Sequence, residues 1–262
     1  MINPNLYRQP VAVDVQQHRT LRLARPVQDW RVAADLNAIF VASAEFGDAC
    51  SEYPLVFIDA GEDEATGQKT VAPIAVLGLV ERQNLFVEGP AWRASYVPAM
   101  MRAYPFGIAR QDAQRVVLVI DRAYEGWSAT EGQPLFDEQG QPSELLAGMR
   151  QQLELLETEI QRTRLFGNLL VAEGLLQPMR FDATLPDGRK LSVEGFQTID
   201  EKKLAALPDD KVLALHKNGV LGLIHAHQIS LRHMRRLVEW HIARVGADGP
   251  APAEGTGAGA GG

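Results

Sequence analysis

One cysteine, Cys50, stands among 262 residues. That excludes an internal disulfide and a thiolate-rich zinc site, and it suits a reducing compartment, so the expected location is cytoplasmic. Long hydrophobic runs are missing too. The strongest, Val71 to Val80, is broken by Pro73 and is about half as long as a membrane helix requires. The opening MINPNLYRQPVAVDV lacks a basic start followed by an apolar core, so it does not read as a signal peptide. These two absences set the expectation of a soluble chain without a transmembrane segment. Positive charge is scarce as well: the net charge is −7 and the pI about 5.4, so nothing global favours nucleic acid or an anionic membrane as partner. What is plentiful is apolar side chain, 46% of the residues, enough for one large domain or two small ones.

Along the chain, residues 10–42 read as β-rich, through the alternation of VAVDV and RTLRLAR and the short apolar run NAIFVA. Ala44 to Tyr53 suits a brief helix ending before Pro54. LVFIDAG is a strong strand, and VAPIAVLGLV is a second in which Pro73 favours an edge or a bulge. RVVLVID, 115–121, has the composition of a central strand. Turn residues crowd between Gly126 and Pro142, and an internal boundary is expected near 126–142. Ser143 then caps a long helix with apolar positions at Met149, Leu153, Leu156 and Ile160. Leu165, Phe166, Leu169 and Leu170 predict burial on more sides at its far end. MRFDATL and KLSVEGF flank Pro186-Asp187-Gly188 as a hairpin. Three short helices, Glu201–Leu207, Lys211–Lys217 and Leu231–Val245, the last entered through Ser230, are expected to close residues 1–246. Residues 247–262 are an Ala/Gly/Pro-rich tail of the composition that stays disordered.

Motifs for chemistry are few. Five histidines fall between His216 and His241, but His225 and His227 point to different sides of a helix, and His233 and His241 are two turns apart. No metal site follows, and packed helix histidines are the better reading. Ser128 in GWSAT lacks the second glycine and the strand–helix setting of a nucleophile elbow. GEDEATGQK, 61–69, has the wrong spacing for a phosphate loop, and its acids would repel phosphate. It reads as a solvated hairpin loop. Arg232, Arg235, Arg236 and Arg244 form a basic face on the last helix, read as solvated rather than as a nucleic-acid surface.

The most distinctive stretch is Asn84 to Phe106, NLFVEGPAWRASYVPAMMRAYPF. Ser95 is placed as an N-cap, Pro98 falls in the first turn, and Pro105 stops the helix at Tyr104. Tyr96, Met100 and Tyr104 fall on one line and Val97 and Met101 beside it, which leaves Arg102 on the opposite face. W-x-x-x-Y-V-P and R-x-Y-P-F in this stretch resemble the signature of the bacterial SapC family. NLF at 84–86, PLFDEQGQPS at 134–143, EGFQTIDEKKL at 194–204 and GVLGLIHAHQISL at 219–231 extend the resemblance over roughly residues 10–245. The family was named for a component linked to bacterial surface layers. The resemblance implies that setting and brings no reaction or catalytic residues with it.

Together these readings give an α+β domain: a mixed, largely antiparallel sheet over residues 10–121, a long packed helix, a hairpin and a C-terminal helical cap. The expected function is that of an accessory or binding protein for a protein or small-molecule partner, with no cofactor and no metal. The candidate binding residues are Trp92, Tyr96, Arg102, Tyr104, Phe106 and Glu194. The alternative is an enzyme with a cleft between sheet and cap, using Arg102, Glu194 and a histidine such as His225.

Overall fold

The computed structural model describes residues 2–62, 67–110, 116–185 and 188–247. The expected tail beyond Ala247, most of the acidic stretch of the 61–69 loop, and Pro186-Asp187 lie outside them. The first half of the chain is a series of short elements: β1 (Pro10–Ala12), α1 (Val15–His18), β2 (Arg22–Leu23), β3 (Ala38–Phe40), α2 (Phe46–Ala49), β4 (Leu55–Glu62) and β5 (Lys69–Val76). Then come β6 (Val87–Glu88), β7 (Ala91–Trp92), α3 (Ala99–Ala103), β8 (Phe106–Arg110), β9 (Val116–Asp121), β10 (Trp127–Ser128) and β11 (Gln133–Pro134). The second half has longer ones: α4 (Glu144–Ala172), β12 (Leu176–Thr184), β13 (Lys190–Ile199), α5 (Glu201–Ala205), α6 (Asp209–Lys217), α7 (Val220–Ser230) and α8 (His233–Ala247).

The class is α+β, and the described strand pairs are antiparallel. The sheet expected over residues 10–121 is instead divided. The largest sheet has the order β12-β13-β4-β5-β3 and takes in the late hairpin; a second has the order β1-β9-β8, and a third β10-β2-β11. Strand β9, from the RVVLVID run, is thus central, but in the three-stranded sheet. Pro73 lies in β5, between β4 and β3 rather than on an edge. Its carbonyl accepts from Val41 N–H at 3.2 Å, just where the three-residue β3 ends, so its missing N–H faces a place where the ladder has run out. The Gly126–Pro142 stretch, expected as a boundary, pairs with β2 and sends Leu135 and Phe136 into the core.

Helix α4 behaves as its sequence dictates at the start. The Ser143 hydroxyl accepts from Leu146 N–H at 3.3 Å, and Leu146, Leu153, Leu156, Phe166 and Leu170 are buried; Leu146 lies beside Ile108 and Leu118 of the β1-β9-β8 sheet, and farther along, the helix packs on β5 of the large sheet. Phe166 meets Phe46 and Phe57 edge-on at 5.8 and 5.9 Å. Gly167 lets the helix touch the sheet, because a Cβ there would stand 2.5 Å from the Val71 carbonyl oxygen. Leu165, expected inside, is 70% exposed, since only one stripe of the helix faces the sheet.

Four helices close the described chain rather than three. The additional one is α7, the apolar run Val220–Ser230, on which polar and apolar residues do not segregate to separate faces. Ser230 does not cap α8: its hydroxyl accepts from Leu55 N–H at 2.9 Å and so ties α7 to β4. His227, also on α7, is fully buried between two strands. Its Nδ1–H donates to the Leu55 carbonyl at 2.8 Å, and Nε2 accepts from Ile199 N–H at 3.2 Å. The basic face of α8 is solvated only in part. Arg235 pairs outward with Glu239, whereas Arg236 lies over the rings of Trp240 and Phe86 and donates to the Glu52 carbonyl. Arg244 donates to the Asn84 carbonyl at 2.9 Å.

Candidate functional site

Helix α3 carries Arg102, and two buried carboxylates hold the segment that contains it. The first is Glu45, in the turn before α2, only 8% exposed. Its Oε1 accepts from the Tyr96 hydroxyl at 2.6 Å and from Ala99 N–H at 2.7 Å, and its Oε2 accepts from Ala42 N–H at 2.8 Å. Ala99 opens α3, so a carboxylate from a remote part of the chain satisfies the free helix donor that Ser95 was expected to cap. Ser95 N–H instead meets Glu52 at 3.2 Å, Pro98 stands just before the helix, and Tyr96 precedes it rather than sharing a face with Met100. Burial, with the Glu45 carboxylate beside it, pushes the Tyr96 phenol above its usual range, so it remains a protonated donor.

The second anchor is Asp121, at the end of β9 and fully buried. Its Oδ2 accepts from the Tyr104 hydroxyl at 2.8 Å and Arg8 N–H at 3.1 Å; its Oδ1 accepts from Gln9 N–H at 2.8 Å and Ala123 N–H at 3.1 Å. Four donors occupy the lone pairs of the carboxylate. Burial and then Asp121 raise the Tyr104 phenol, which likewise stays protonated. Tyr7 packs edge-on to Tyr104 at 5.3 Å and donates to the Phe106 carbonyl at 2.8 Å. Phe106 is 2% exposed and meets Trp127 edge-on.

Between these anchors lies a cleft of about 650 Å³. Leu23, Val27, Trp30, Met101, Leu145 and Met149 are among its apolar lining, and Arg102 is the only charged residue among its described lining. The Arg102 guanidinium lies 5.5 Å from the Tyr96 ring centroid, within cation–π range. Among the described residues it has no carboxylate partner. Its side chain is exposed while Met100, Met101 and Ala103 are buried, so the two arcs of this segment separate as the helical projection requires.

The other sequence-derived candidates divide. Tyr104 and Phe106 line the cleft. Trp92 stands behind it: its Nε1–H donates to the Tyr53 hydroxyl at 2.8 Å, and its ring packs at 5.5 Å from Trp30, which is a wall residue. Glu194 is exposed on β13, where it adds to the field around Arg180. His225 is exposed on α7 with Gln228 Oε1 at 3.0 Å. Neither Glu194 nor His225 lines the cleft with Arg102, so the trio of the enzyme reading is not assembled there. Glu45, Asp121, Trp30 and Met149 are what sequence reasoning missed. Met149 reads locally only as part of the apolar stripe of α4, and nothing local marks the other three, because each meets α3 or the cleft through contacts distant in sequence.

Among the described residues, no group of three or more His, Cys, Asp or Glu side chains is placed to hold a metal ion, and no helix is long and apolar enough to cross a membrane. Cys50 is half-buried and makes a long contact, 3.4 Å, with the Gly47 carbonyl.

Comparison with curated proteins and with solved structures gave no match. The sequence model of the SapC family matches residues 13–237, which include α3, both of its carboxylate anchors and the whole cleft. The chain belongs to the SapC family.

Proposed function

We propose that this chain is a binding protein for a small, largely apolar ligand, and that the cleft beside α3 receives it. One observation carries the reading: a largely apolar cleft of about 650 Å³, a typical size for a ligand pocket, has Arg102 as the single cation of its described lining, with no carboxylate partner among the described residues. The described lining contains no serine, cysteine, histidine or carboxylate. Tyr104 reaches the cleft, but its hydroxyl is committed to Asp121, and Asp121 has no lone pair left to act as a base. These groups suit recognition rather than bond-making. The surface-layer setting in the family name adds no chemistry to the cleft.

Methionine placement offers a direct test. The sequence has six methionines, of which Met101 and Met149 line the cleft, whereas Met179 and Met234 do not. With methyl-labelled methionine, a screen of small apolar compounds by NMR is expected to find binders that shift Met101 and Met149 and leave Met179 and Met234 in place. Binders that shift only the other methionines would place the site elsewhere.

A further inference from the structure

We infer that the ligand of this cleft is a single-headed anionic amphiphile, an alkyl carboxylate in chemical class, with its carboxylate on Arg102 and its chain between α4 and the β2 segment. The inference rests on the cleft being the binding site and goes further by naming what fits it. Leu23, Val27 and Trp30 from the β2 segment and Leu145 and Met149 from α4 line the cleft with hydrocarbon and indole, which demand an apolar body. Arg102 is the one charged residue of the described lining, and the planar fork of a guanidinium matches a carboxylate with two parallel hydrogen bonds. Tyr96 lies under that guanidinium at 5.5 Å, and Glu45 fixes the Tyr96 hydroxyl, so the arginine is supported without being neutralised.

The neighbouring charges favour this head over a more highly charged one. A second cavity of about 440 Å³ shares Pro26 with the cleft and is lined by Arg8, Arg25 and Arg31, but also by Asp29 and Glu125. Arg31 is paired with Asp29, and the two carboxylates of that lining stand against its three arginines. Most of the charge of that cluster is therefore offset from within, while Arg102 has no carboxylate partner among the described residues. One uncompensated cation beside a hydrocarbon wall calls for one negative charge on an apolar chain, not for a phosphate that needs several donors.

Titration calorimetry of the full chain with decanoate and with decanol separates the parts of this inference. Decanoate is expected to bind at least tenfold tighter than decanol. From hexanoate to decanoate, affinity should rise by up to about fourfold per added methylene until the cleft is full. Arg102→Ala should remove the preference for the acid and leave decanol binding in place, and Arg102→Lys should restore part of the preference. Met149→Trp, which fills the cleft, should weaken both ligands together. Thermal melting of each variant shows that it is folded. Equal affinity for acid and alcohol in the unaltered chain would overturn the anionic class while leaving the cleft as a site. Acid binding that survives both Arg102→Ala and Met149→Trp would overturn the placement. No binding of either compound, with a different class found by the methionine screen, would overturn the amphiphile and spare the binding function.

Discussion

Asp121 and His227 show how single polar residues hold this fold, and each supports a measurement. Tyr104→Phe removes one of four donors to Asp121 and leaves the ring in place. A hydrogen bond to a charged group contributes roughly 1.5–3 kcal/mol, so urea unfolding should show a loss in that range. Asp121→Leu should cost more, because it strands the Tyr104 hydroxyl and the N–H groups of Arg8, Gln9 and Ala123. His227 works through protonation. Burial holds its pKa down at about 4, against the opposing hydrogen bond to Leu55, while in the unfolded chain it titrates near the ordinary histidine value of 6.5. Between those values the unfolded state binds the extra proton, so the His227 contribution is fully present above pH 6.5 and is lost as pH falls towards about 4. The size is roughly 3 kcal/mol, and His233 and His241, also shifted down by burial, act in the same direction. His227→Gln should flatten the stability profile across that window. An unchanged slope would mean that the histidine is not buried in its neutral form.

Helix α4 places the same chemical change in two environments. Gly148 is exposed, and a Cβ added there would have nothing within 4 Å, whereas a Cβ on Gly167 would meet the Val71 carbonyl oxygen at 2.5 Å. Gly148→Ala should stabilise the protein by up to about 1 kcal/mol through helix propensity alone. Gly167→Ala should destabilise it by roughly 1–3 kcal/mol, as the helix is forced off the sheet. Thermal midpoints of the two variants should move in opposite directions. This helix also marks what sequence can convey. Its cap and its apolar stripe are local patterns, legible from Ser143 and from Leu153 and Leu156. The approach of both Arg93 and Arg236 to the Trp240 ring, at 4.8 and 4.9 Å, is not legible in that way, because a helical projection of α8 gives the direction of Arg236 but not the residues from elsewhere in the chain that approach the same ring. The same limit explains α3. Its buried and exposed arcs follow from spacing, but its N-terminal carboxylate comes from Glu45, 54 residues before Ala99.

At the scale of the whole chain, the α+β class is readable from segment patterns, and the arrangement of the sheets is not. The Gln197↔Phe57 pairing brings the late hairpin beside β4, and no local signal in either strand specifies the other. The cleft has the same origin, since its walls come from the β2 segment, the α3–β8 corner and the first turns of α4. Arg102 can be singled out in sequence as the lone charge on its arc; the cavity it faces cannot. Under the proposed binding function, stability resides in the inner face of this segment and recognition in Arg102 on its outer face. Met100, 7% exposed, should cost roughly 2–5 kcal/mol on truncation to alanine. The direct test is Arg102→Ala, measured by urea unfolding and by titration with a cleft-binding compound from the methionine screen that carries an acidic group. The expected result is a stability change below about 1 kcal/mol together with at least a tenfold loss of affinity. Unfolding of the variant, or unchanged affinity in a folded one, would contradict it.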